Sequence, residues 1–319
     1  MSRSTSARPR SGGDRLRLRT ALRTGRFEPW LYLVPAFVVL GVMLVYPIYQ
    51  LVLVSMYDYG QPQVTGAEPL RFVGADNYRR LFEDPRFWEV LSNTVIFAVL
   101  CVCGTLLVGI ALAVLATRLR PWVRTALFLV SLGAWATPAV TGSAVWLFLF
   151  DPTLGLVNQV LVGIGLDGFA GHSWTYEKWS AFGLVAAQVI WCSFPFVMVA
   201  VYAGITAIPA ELVEAARLDG ASTLRVAWSV LIPMLRPVLT IVTIQSIIWD
   251  FKIFTQIYIM TSGGGVDGQN LVLNVYAYQQ AFAANSYGLG SAIGVVLTLL
   301  LLAITLVYLH IRRRSGEVL

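Results

Sequence analysis

The sequence predicts an all-α integral membrane protein with six transmembrane helices and with both termini in the cytoplasm. Three observations lead to this fold class: the composition, the number of long apolar stretches and the distribution of positive charge. Of the 319 residues, 57% are hydrophobic and only 13% are charged, whereas an average soluble domain has about 25% charged residues. A water-soluble fold of this size could not bury so much apolar surface, so we expect a membrane protein.

Six apolar stretches reach the roughly 20 residues that a helix needs to cross a bilayer. Because lipid offers no hydrogen-bond partners to backbone amides, each stretch is predicted to be a helix that satisfies its own backbone groups. The predicted spans are residues 30–54, 91–117, 126–150, 181–205, 238–259 and 289–310. A short surface helix is also expected at residues 75–82, since Tyr78, Leu81 and Phe82 recur at helical spacing.

Positive charge separates the two faces of the predicted bundle, because cytoplasmic flanks of membrane helices collect Lys and Arg. Seventeen of the 23 such residues lie before residue 27, in the loops 118–124 and 208–237, and after His310. Five lie in the first two loops of the opposite face, and Lys252 falls in the predicted fifth span. This distribution predicts that both termini face the cytoplasm.

The same distribution divides the chain into three parts. Residues 1–29 are predicted to form a flexible Arg-rich cytoplasmic arm near anionic lipid headgroups. Residues 30–311 are predicted to form the six-span transmembrane domain, and residues 312–319 a cytoplasmic tail. Because the net charge of +6 arises from the flanks of the spans, we expect no nucleic-acid partner. The predicted location is the bacterial plasma membrane.

The cysteines and histidines do not indicate a metal or catalytic site. Cys101, Cys103 and Cys192 all fall inside predicted spans, and His172 and His310 form no HExxH pattern. The stretch GGGVDGQN has no Lys-Ser or Lys-Thr after it, which a phosphate-binding loop requires. We therefore expect a non-catalytic chain that binds no metal and no cofactor and does not hydrolyse ATP itself.

The longest internal loop on the predicted cytoplasmic face, residues 208–237, contains the sequence EAARLDG. Pro209 predicts a helix start, and Glu211 suits the positive end of the helix dipole. Gly220 is expected to end this helix, because glycine readily adopts the left-handed conformation. A second short helix is expected at residues 222–230, closed by Pro233. From the residues alone, this loop is either a docking site for another protein or a simple connector.

The order of residues in this loop resembles the signature loop of binding-protein-dependent ABC importer permeases. The matching elements are Glu-Ala-Ala at 214–216, Asp-Gly-Ala at 219–221 and Leu-Ile-Pro at 231–233. Nearly the whole chain is similar to the carbohydrate-uptake permeases of the maltose and glycerol-phosphate type, in their compact six-span form. The other segments that carry the resemblance are VPAFVVLGVMLVYPIYQLVLVSMYDY, FVGADNYRRLFEDPRFW and IFTQIYIMTSGGG. The chain departs from the family where Val266 follows the glycines, since a proline is common there.

The resemblance implies the type I permease fold of ABC importers and a set of partners. The coupling loop would insert into a cleft of a separate cytoplasmic ABC ATPase, two copies of which bind ATP and Mg and hydrolyse the ATP. A second permease subunit, expected to form a heterodimer with this chain, and an extracytoplasmic solute-binding protein complete the implied assembly. The residues implied in ATPase coupling are Glu214, Ala215, Ala216, Asp219, Gly220 and Ala221.

Polar residues inside the predicted spans are candidates for substrate binding, because they are costly in lipid and usually face a cavity or the bundle interior. Ser246, Trp249 and Asp250 recur at spacings of three and four, which predicts one shared helix face. An aromatic ring, a hydroxyl and a carboxylate together suit a sugar, which presents C–H faces and hydroxyls. The alternative is that these groups hold helices together through hydrogen bonds.

The fourth predicted span offers two candidate faces, and periodicity does not decide between them. One contains Gln188 and Trp191, and the other contains Val189, Ser193 and Phe196. The third span adds Trp135, just before Pro138.

The resemblance places six residues at the positions that line the cavity of maltose-type permeases. Val189 departs from that role, since it cannot bond a hydroxyl, and Gln188 would replace it only if the alignment slipped by one residue. The carried-over residues are Val189, Ser193, Phe196, Ser246, Trp249 and Asp250.

The resemblance, together with the polar and aromatic residues in the spans, implies a permease subunit of an ATP-driven importer that moves an oligosaccharide or a related polyol by alternating access. One alternative is an importer of the same type for glycerol phosphate or a peptide, although only Lys252 offers a positive charge within a predicted span. The other alternative is an ion-coupled secondary transporter that uses Asp250. That alternative would leave the EAARLDG loop without a function.

Overall fold

The computed structural model describes residues 28–314, so nearly all of the predicted Arg-rich arm and most of the predicted tail lie outside the described residues. The chain falls into two compact units, one ending at Leu53 and the other beginning at Val54. The described part of the first unit is a single helical run: α1 (Glu28–Leu40), a π-turn (Gly41–Val45) and α2 (Tyr46–Ser55), whose last two residues belong to the second unit. Apolar side chains such as Phe37 and Met43 are more than half exposed along it.

The second unit is helical apart from one small antiparallel hairpin, in which Tyr57 pairs with Phe72 and Asp58 with Arg71. Its elements in chain order are β1 (Tyr57–Asp58), α3 (Gln61–Val64), β2 (Arg71–Phe72), α4 (Asp76–Glu83), α5 (Pro85–Ala116), α6 (Pro121–Ala136), α7 (Ala139–Leu149), α8 (Leu156–Gly163), α9 (Lys178–Thr206), α10 (Ala210–Leu218), α11 (Thr223–Val226), α12 (Ile232–Asp250), α13 (Thr255–Met260), α14 (Leu273–Tyr278) and α15 (Tyr287–Arg314). The predicted surface helix is present as α4, displaced by one residue.

Five of the described helical segments are long and apolar enough to cross a membrane, and there are six if a bent pair of helices is counted as one span. This arrangement confirms the predicted all-α, multi-span fold class. The five segments are Tyr32–Ser55, Pro85–Ala116, Lys178–Thr206, Ala227–Asp250 and Tyr287–Ile311.

The third predicted span is not one continuous helix, and that prediction was wrong. Helices α6 and α7 meet at an angle of 103°. The break lies at Thr137, whose ψ of 122° is extended. Because a residue before proline is sterically excluded from the helical region, Pro138 accounts for the break.

The predicted limits of the fifth span were also wrong at both ends. At its start, α11, a π-turn (Ala227–Leu231) and α12 follow one another without interruption, so Pro233 does not close a separate short helix. A π-turn removes one regular backbone hydrogen bond, which accommodates a proline that has no N–H to donate. At its other end the helix stops at Asp250, so Lys252 lies outside the span and is exposed.

Close packing of α5 against α9 forms the centre of the second unit. A Cβ atom at Gly109 of α5 would lie 2.6 Å from the Cβ of Val197 on α9, so only glycine permits this approach. Buried aromatic residues Phe87, Phe97 and Phe182 fill the core towards the beginning of both helices. Small residues at helix interfaces allow such contacts in membrane proteins.

Hydrogen bonds from buried side chains fix the loop that follows α13, forming what we call the polar junction (Asn93, Thr94, Asn270, Leu273 and Tyr276). The Asn93 amide donates to the carbonyls of Gln269 and Leu271 at 3.0 and 3.1 Å. The backbone N–H of Leu273 donates to the Thr94 hydroxyl at 2.9 Å, and the Asn270 amide donates to the Lys178 carbonyl at 2.9 Å. Residues more than 90 positions apart are thereby joined.

Tyr276 adds the last contact of the polar junction. Its hydroxyl donates to the Asp84 carboxylate at 3.1 Å. Burial, together with the charge and hydrogen bond of Asp84, raises the pKa of Tyr276 to about 12. The phenol therefore stays a hydrogen-bond donor throughout the physiological range.

Candidate functional site

Three aromatic residues of the predicted substrate site lie on accessible surface. The rings of Phe196 on α9 and Trp249 on α12 meet edge to face, with centroids 5.3 Å apart. Trp135, near the end of α6, is 49% exposed, and Trp249 is 37% exposed. Trp135 and Phe196 both line an open apolar pocket of ≈ 180 Å³. The structure thus brings together aromatic residues from three different spans.

The remaining lining of this pocket was missed by the sequence reasoning. Phe128 and Leu132 precede Trp135 on α6 at spacings of four and three, which places all three on one helix face. That periodicity was available in the sequence, but apolar residues in a membrane helix carry no signal that separates a pocket from lipid. The pocket is completed by Pro195 and Val199 of α9.

The two candidate faces of the fourth span differ in burial. Gln188 is fully buried, and its amide nitrogen lies 3.4 Å from the Cys192 sulfur. A Cβ atom added at Gly142 of α7 would lie 3.0 Å from that nitrogen, so the amide packs tightly against α7. The Gln188 carbonyl oxygen has no hydrogen-bond partner within residues 28–314. Val189 is buried as well, whereas Ser193 and Phe196 are half-buried.

Ser246 and Asp250 differ from Trp249, which is 37% exposed, in their burial. Both are almost completely buried, at 4% and 3% exposure. One oxygen of the Asp250 carboxylate has no hydrogen-bond partner among the described residues. Burying a polar oxygen without a hydrogen bond costs free energy, and such groups in native structures often have a functional explanation.

The EAARLDG loop forms α10 and ends as the sequence predicts. Gly220 has a φ of +78°, in the left-handed region. The N–H of Gly220 donates to the carbonyl of Arg217, and the N–H of Ala221 donates to the carbonyl of Ala216, both at 3.0 Å. These two bonds form a Schellman motif, which satisfies carbonyls at the end of the helix.

No residue of α10 is buried. Leu218 is 88% exposed, and Leu212 is also exposed. Of the predicted coupling residues, Ala216 and Ala221 are half-buried, while the other four are exposed: Glu214, Ala215, Asp219 and Gly220. Within the part of the chain that the structure describes, neither Glu214 nor Asp219 forms an ion pair. The helix therefore presents apolar and acidic groups on an open surface.

Titratable groups do not gather into a metal site in the described residues, where no group of three or more His, Cys, Asp or Glu could hold an ion. The three cysteines are free thiols. The accessible face is instead aromatic and aliphatic, as the lining of the pocket shows.

Comparison with known proteins gives a consistent family. The sequence profile described as "binding-protein-dependent transport system inner membrane component" matches residues 105–316. A diacetylchitobiose uptake system permease protein of Streptomyces coelicolor is 37% identical over 96% of this chain and 92% of its own length. A sulfoquinovosyl glycerol transport system permease protein of Agrobacterium fabrum is 33% identical over 89% of both chains. A trehalose/maltose permease protein of Thermococcus litoralis is 30% identical over 89% of this chain and 93% of its own.

Solved structures share the fold. A chain of a bacterial ABC transporter involved in import of the acidic polysaccharide alginate superposes with a TM-score of 0.78. The match covers 94% of this chain and all of the other, at 19% sequence identity. A second structure of an alginate transporter, in complex with an alginate pentasaccharide-bound periplasmic protein, matches with a TM-score of 0.76 over 90% and 94% of the two chains. At this identity the similarity concerns the fold alone.

Proposed function

This chain belongs to the family of inner membrane components of binding-protein-dependent transport systems, and we propose that it is the permease subunit of an ATP-driven oligosaccharide importer. The observation that carries the proposal is α10, a helix with no buried residue and with Leu218 almost fully exposed. Two exposed leucines, Leu212 and Leu218, on a short helix that carries the family's signature sequence suit a surface that another protein covers. The partner we propose is a separate cytoplasmic ABC ATPase, present in two copies.

The proposed cargo is an oligosaccharide or a related polyol. All three relatives described above are named for the transport of sugars or sugar derivatives. The accessible aromatic rings support this cargo, because a sugar presents C–H faces that pack on aromatic rings. We assign the stacking contacts to Trp135, Phe196 and Trp249, and a hydrogen bond to Ser193.

Asp250, Ser246 and Gln188 are proposed as further substrate contacts that form only in another conformation. All three are buried here, so a solute could reach them only if the spans separated. Alternating access requires such a rearrangement, in which the cavity opens first on one side of the membrane and then on the other. ATP binding and hydrolysis by the partner would drive it through α10.

We further propose a second, different permease subunit and an extracytoplasmic solute-binding protein as partners. The aromatic face of Phe196 and Trp249 is open along one side of this chain, and a second permease would enclose it. The chain itself has no catalytic role in the proposal, and ATP and Mg belong to the partner ATPase.

The experiment is uptake into vesicles that contain the purified complex, with the binding protein supplied outside and ATP supplied inside. The solutes are diacetylchitobiose, maltose, trehalose, glycerol phosphate and a tripeptide. We expect uptake of at least one of the sugars, and only with both ATP and the ATPase. Uptake of glycerol phosphate or the tripeptide, without uptake of any of the sugars, would show that the cargo is not a sugar. Sugar uptake that continues without the ATPase, driven by an ion gradient and lost in Asp250→Asn, would replace the importer by a secondary transporter.

A further inference from the structure

A connected series of six aromatic rings lies outside the site described above, and we call it the aromatic ladder. It begins just after the end of α12, five residues beyond Trp249. Successive ring centroids are separated by 5.2, 5.4, 5.1, 6.3 and 5.5 Å. In order, the rings are Phe254, Tyr258, Tyr278, Phe282, Tyr287 and Tyr59.

The aromatic ladder is accessible along its middle and anchored at both sides. Tyr258, Tyr278 and Phe282 are 37%, 39% and 63% exposed. Next to Tyr278, the amide of Gln279 donates to the Gly263 carbonyl at 2.6 Å, which fixes the π-turn (Gln279–Ala283) to the preceding loop. At the far end the Tyr287 hydroxyl donates to the Gln61 side-chain oxygen at 3.3 Å. The rings are therefore held in position, which lowers the entropic cost of binding a ligand.

The chemistry of the aromatic ladder differs from that of the other exposed apolar surfaces. Exposed side chains on the spans are mostly aliphatic, such as Leu107 and Leu299, as expected for contact with lipid tails. Among the described residues, the hydroxyls of Tyr258 and Tyr278 have no hydrogen-bond partner. Ring faces beside free hydroxyls match the C–H faces and hydroxyls of a neutral carbohydrate.

We propose that the aromatic ladder is a binding track for an oligosaccharide, separate from the Phe196–Trp249 pair and occupied by several sugar rings at once. This inference rests on the proposed function, since it assumes a sugar as the cargo. Because the ladder has six rings, a long oligosaccharide should gain more contacts on it than a short sugar does. A single sugar ring can cover only one or two aromatic neighbours, whereas an extended oligosaccharide can follow the series.

The test compares Tyr278→Ala and Phe282→Ala with a matched control, Trp122→Ala, which removes an aromatic ring that is 72% exposed at the start of α6. The readout is the half-saturating concentration for uptake of diacetylchitobiose and of its trisaccharide and tetrasaccharide homologues by the complete complex. We expect a rise of about fivefold to tenfold for the tetrasaccharide and a smaller rise for the disaccharide. Trp122→Ala should match the wild type for all three sugars.

A second, more conservative variant distinguishes the loss of a sugar contact from misfolding. Tyr278→Phe keeps the ring and removes only the hydroxyl, so its half-saturating concentrations should lie between those of the wild type and Tyr278→Ala. ATPase activity and the amount of second permease that co-purifies should not change in any variant. Loss of the second permease from Phe282→Ala would assign the ladder to a protein interface and overturn the inference.

Failure of the inference and failure of the proposed function give different results. If the wild-type complex takes up the sugars and the ladder variants match it at every chain length, the ladder is not a sugar track, while the importer proposal stands. An equal loss for all three sugars would likewise overturn the idea of several occupied subsites. If the wild-type complex takes up none of the sugars, the proposed cargo fails and the inference fails with it.

Discussion

Helix α10 and the polar junction represent two opposite ways of building a loop between spans. In the polar junction, hydrogen bonds stay within the chain: the buried side chains of Asn93 and Thr94 bind backbone groups of a loop that is distant in sequence. Helix α10 has no buried side chain, and backbone N–H groups of the turn that follows it satisfy the carbonyls at its end. One loop is thus fixed by hydrogen bonds to the rest of the chain, whereas the other leaves its side chains accessible, as the proposed contact with an ATPase requires.

The largest expected effect comes from the glycine that ends α10. Gly220→Val forces a β-branched residue into a left-handed conformation, so the Schellman motif should open and ATP-driven uptake should fall by about tenfold or more, equivalent to about 1.4 kcal/mol.

Gly165→Val is the matched control for this prediction. Gly165 also has a positive φ, of +92°, and, as at Gly220, an added Cβ would meet no atom within 4 Å. The two variants therefore carry similar backbone strain in different loops. Equal losses of uptake in both would show that strain alone, and not the position in α10, causes the defect.

Next in size is the effect of a charge on the exposed face of α10. Leu218→Asp should leave the unfolding temperature of the isolated chain unchanged, because this side chain is 88% exposed. The same change should strongly reduce the amount of ATPase that co-purifies, since a charge would then be buried against the partner. Leu154→Asp, at another exposed leucine, is the control. A fall in the unfolding temperature without loss of ATPase would show that Leu218 stabilises the chain itself and not the contact with the partner.

The polar junction should show the reverse pattern. Asn93→Ala leaves the Gln269 and Leu271 carbonyls without their donor, and we expect a loss of about 2 kcal/mol in the free energy of unfolding. Binding of the ATPase should not change. Ser92→Ala is the control, because the Ser92 hydroxyl is exposed and bonds only within its own helix turn. Thermal unfolding in detergent measures both variants, and a destabilised Ser92→Ala would point to a general effect on α5.

The smallest expected effect concerns Tyr276. Tyr276→Phe removes one hydrogen bond to Asp84 and should cost about 1 kcal/mol at neutral pH. Because the pKa of Tyr276 rises from 10.0 to about 12 on folding, its stabilising contribution is complete below pH 10 and is lost as the pH rises through 12. The difference in unfolding temperature between wild type and Tyr276→Phe should therefore shrink across that interval. A constant difference would show that the phenol does not titrate with folding.

The sequence predicts most of the helices and the cap of α10, because apolar length and a glycine at a helix end are local signals. It predicts neither the end of α12 at Asp250 nor the bond from Asn93 to the loop after α13. Apolar residues continue past Asp250 without a breaking signal, and the partner of Asn93 lies 176 positions away in the chain. Contacts of this kind depend on the packed arrangement of several helices.

In the candidate site, too, the sequence predicts local features but not the contacts between helices. Its aromatic members, Phe196 and Trp249, were identified as candidates, and their contact across two helices was found only in the structure. Helical periodicity placed Ser246, Trp249 and Asp250 on one face, because residues three and four apart are neighbours on a helix surface. Which of them is buried depends on where α5 packs. The position of a neighbouring helix is not encoded in the period of α12 itself.

The uninterrupted helix from Thr223 to Asp250 gives the chain a stiff mechanical link. At the rise of an α-helix it is about 40 Å long, and it begins directly after the turn at Gly220 and carries Trp249 near its far end. A displacement of the turn would therefore reach the aromatic pair as axial movement or torsion of one helix, in which the π-turn at Ala227–Leu231 and Pro237 interrupt the regular backbone hydrogen bonds. Thermodynamic reciprocity then requires the converse: a solute that displaces Trp249 would change the affinity of the turn for the proposed ATPase partner.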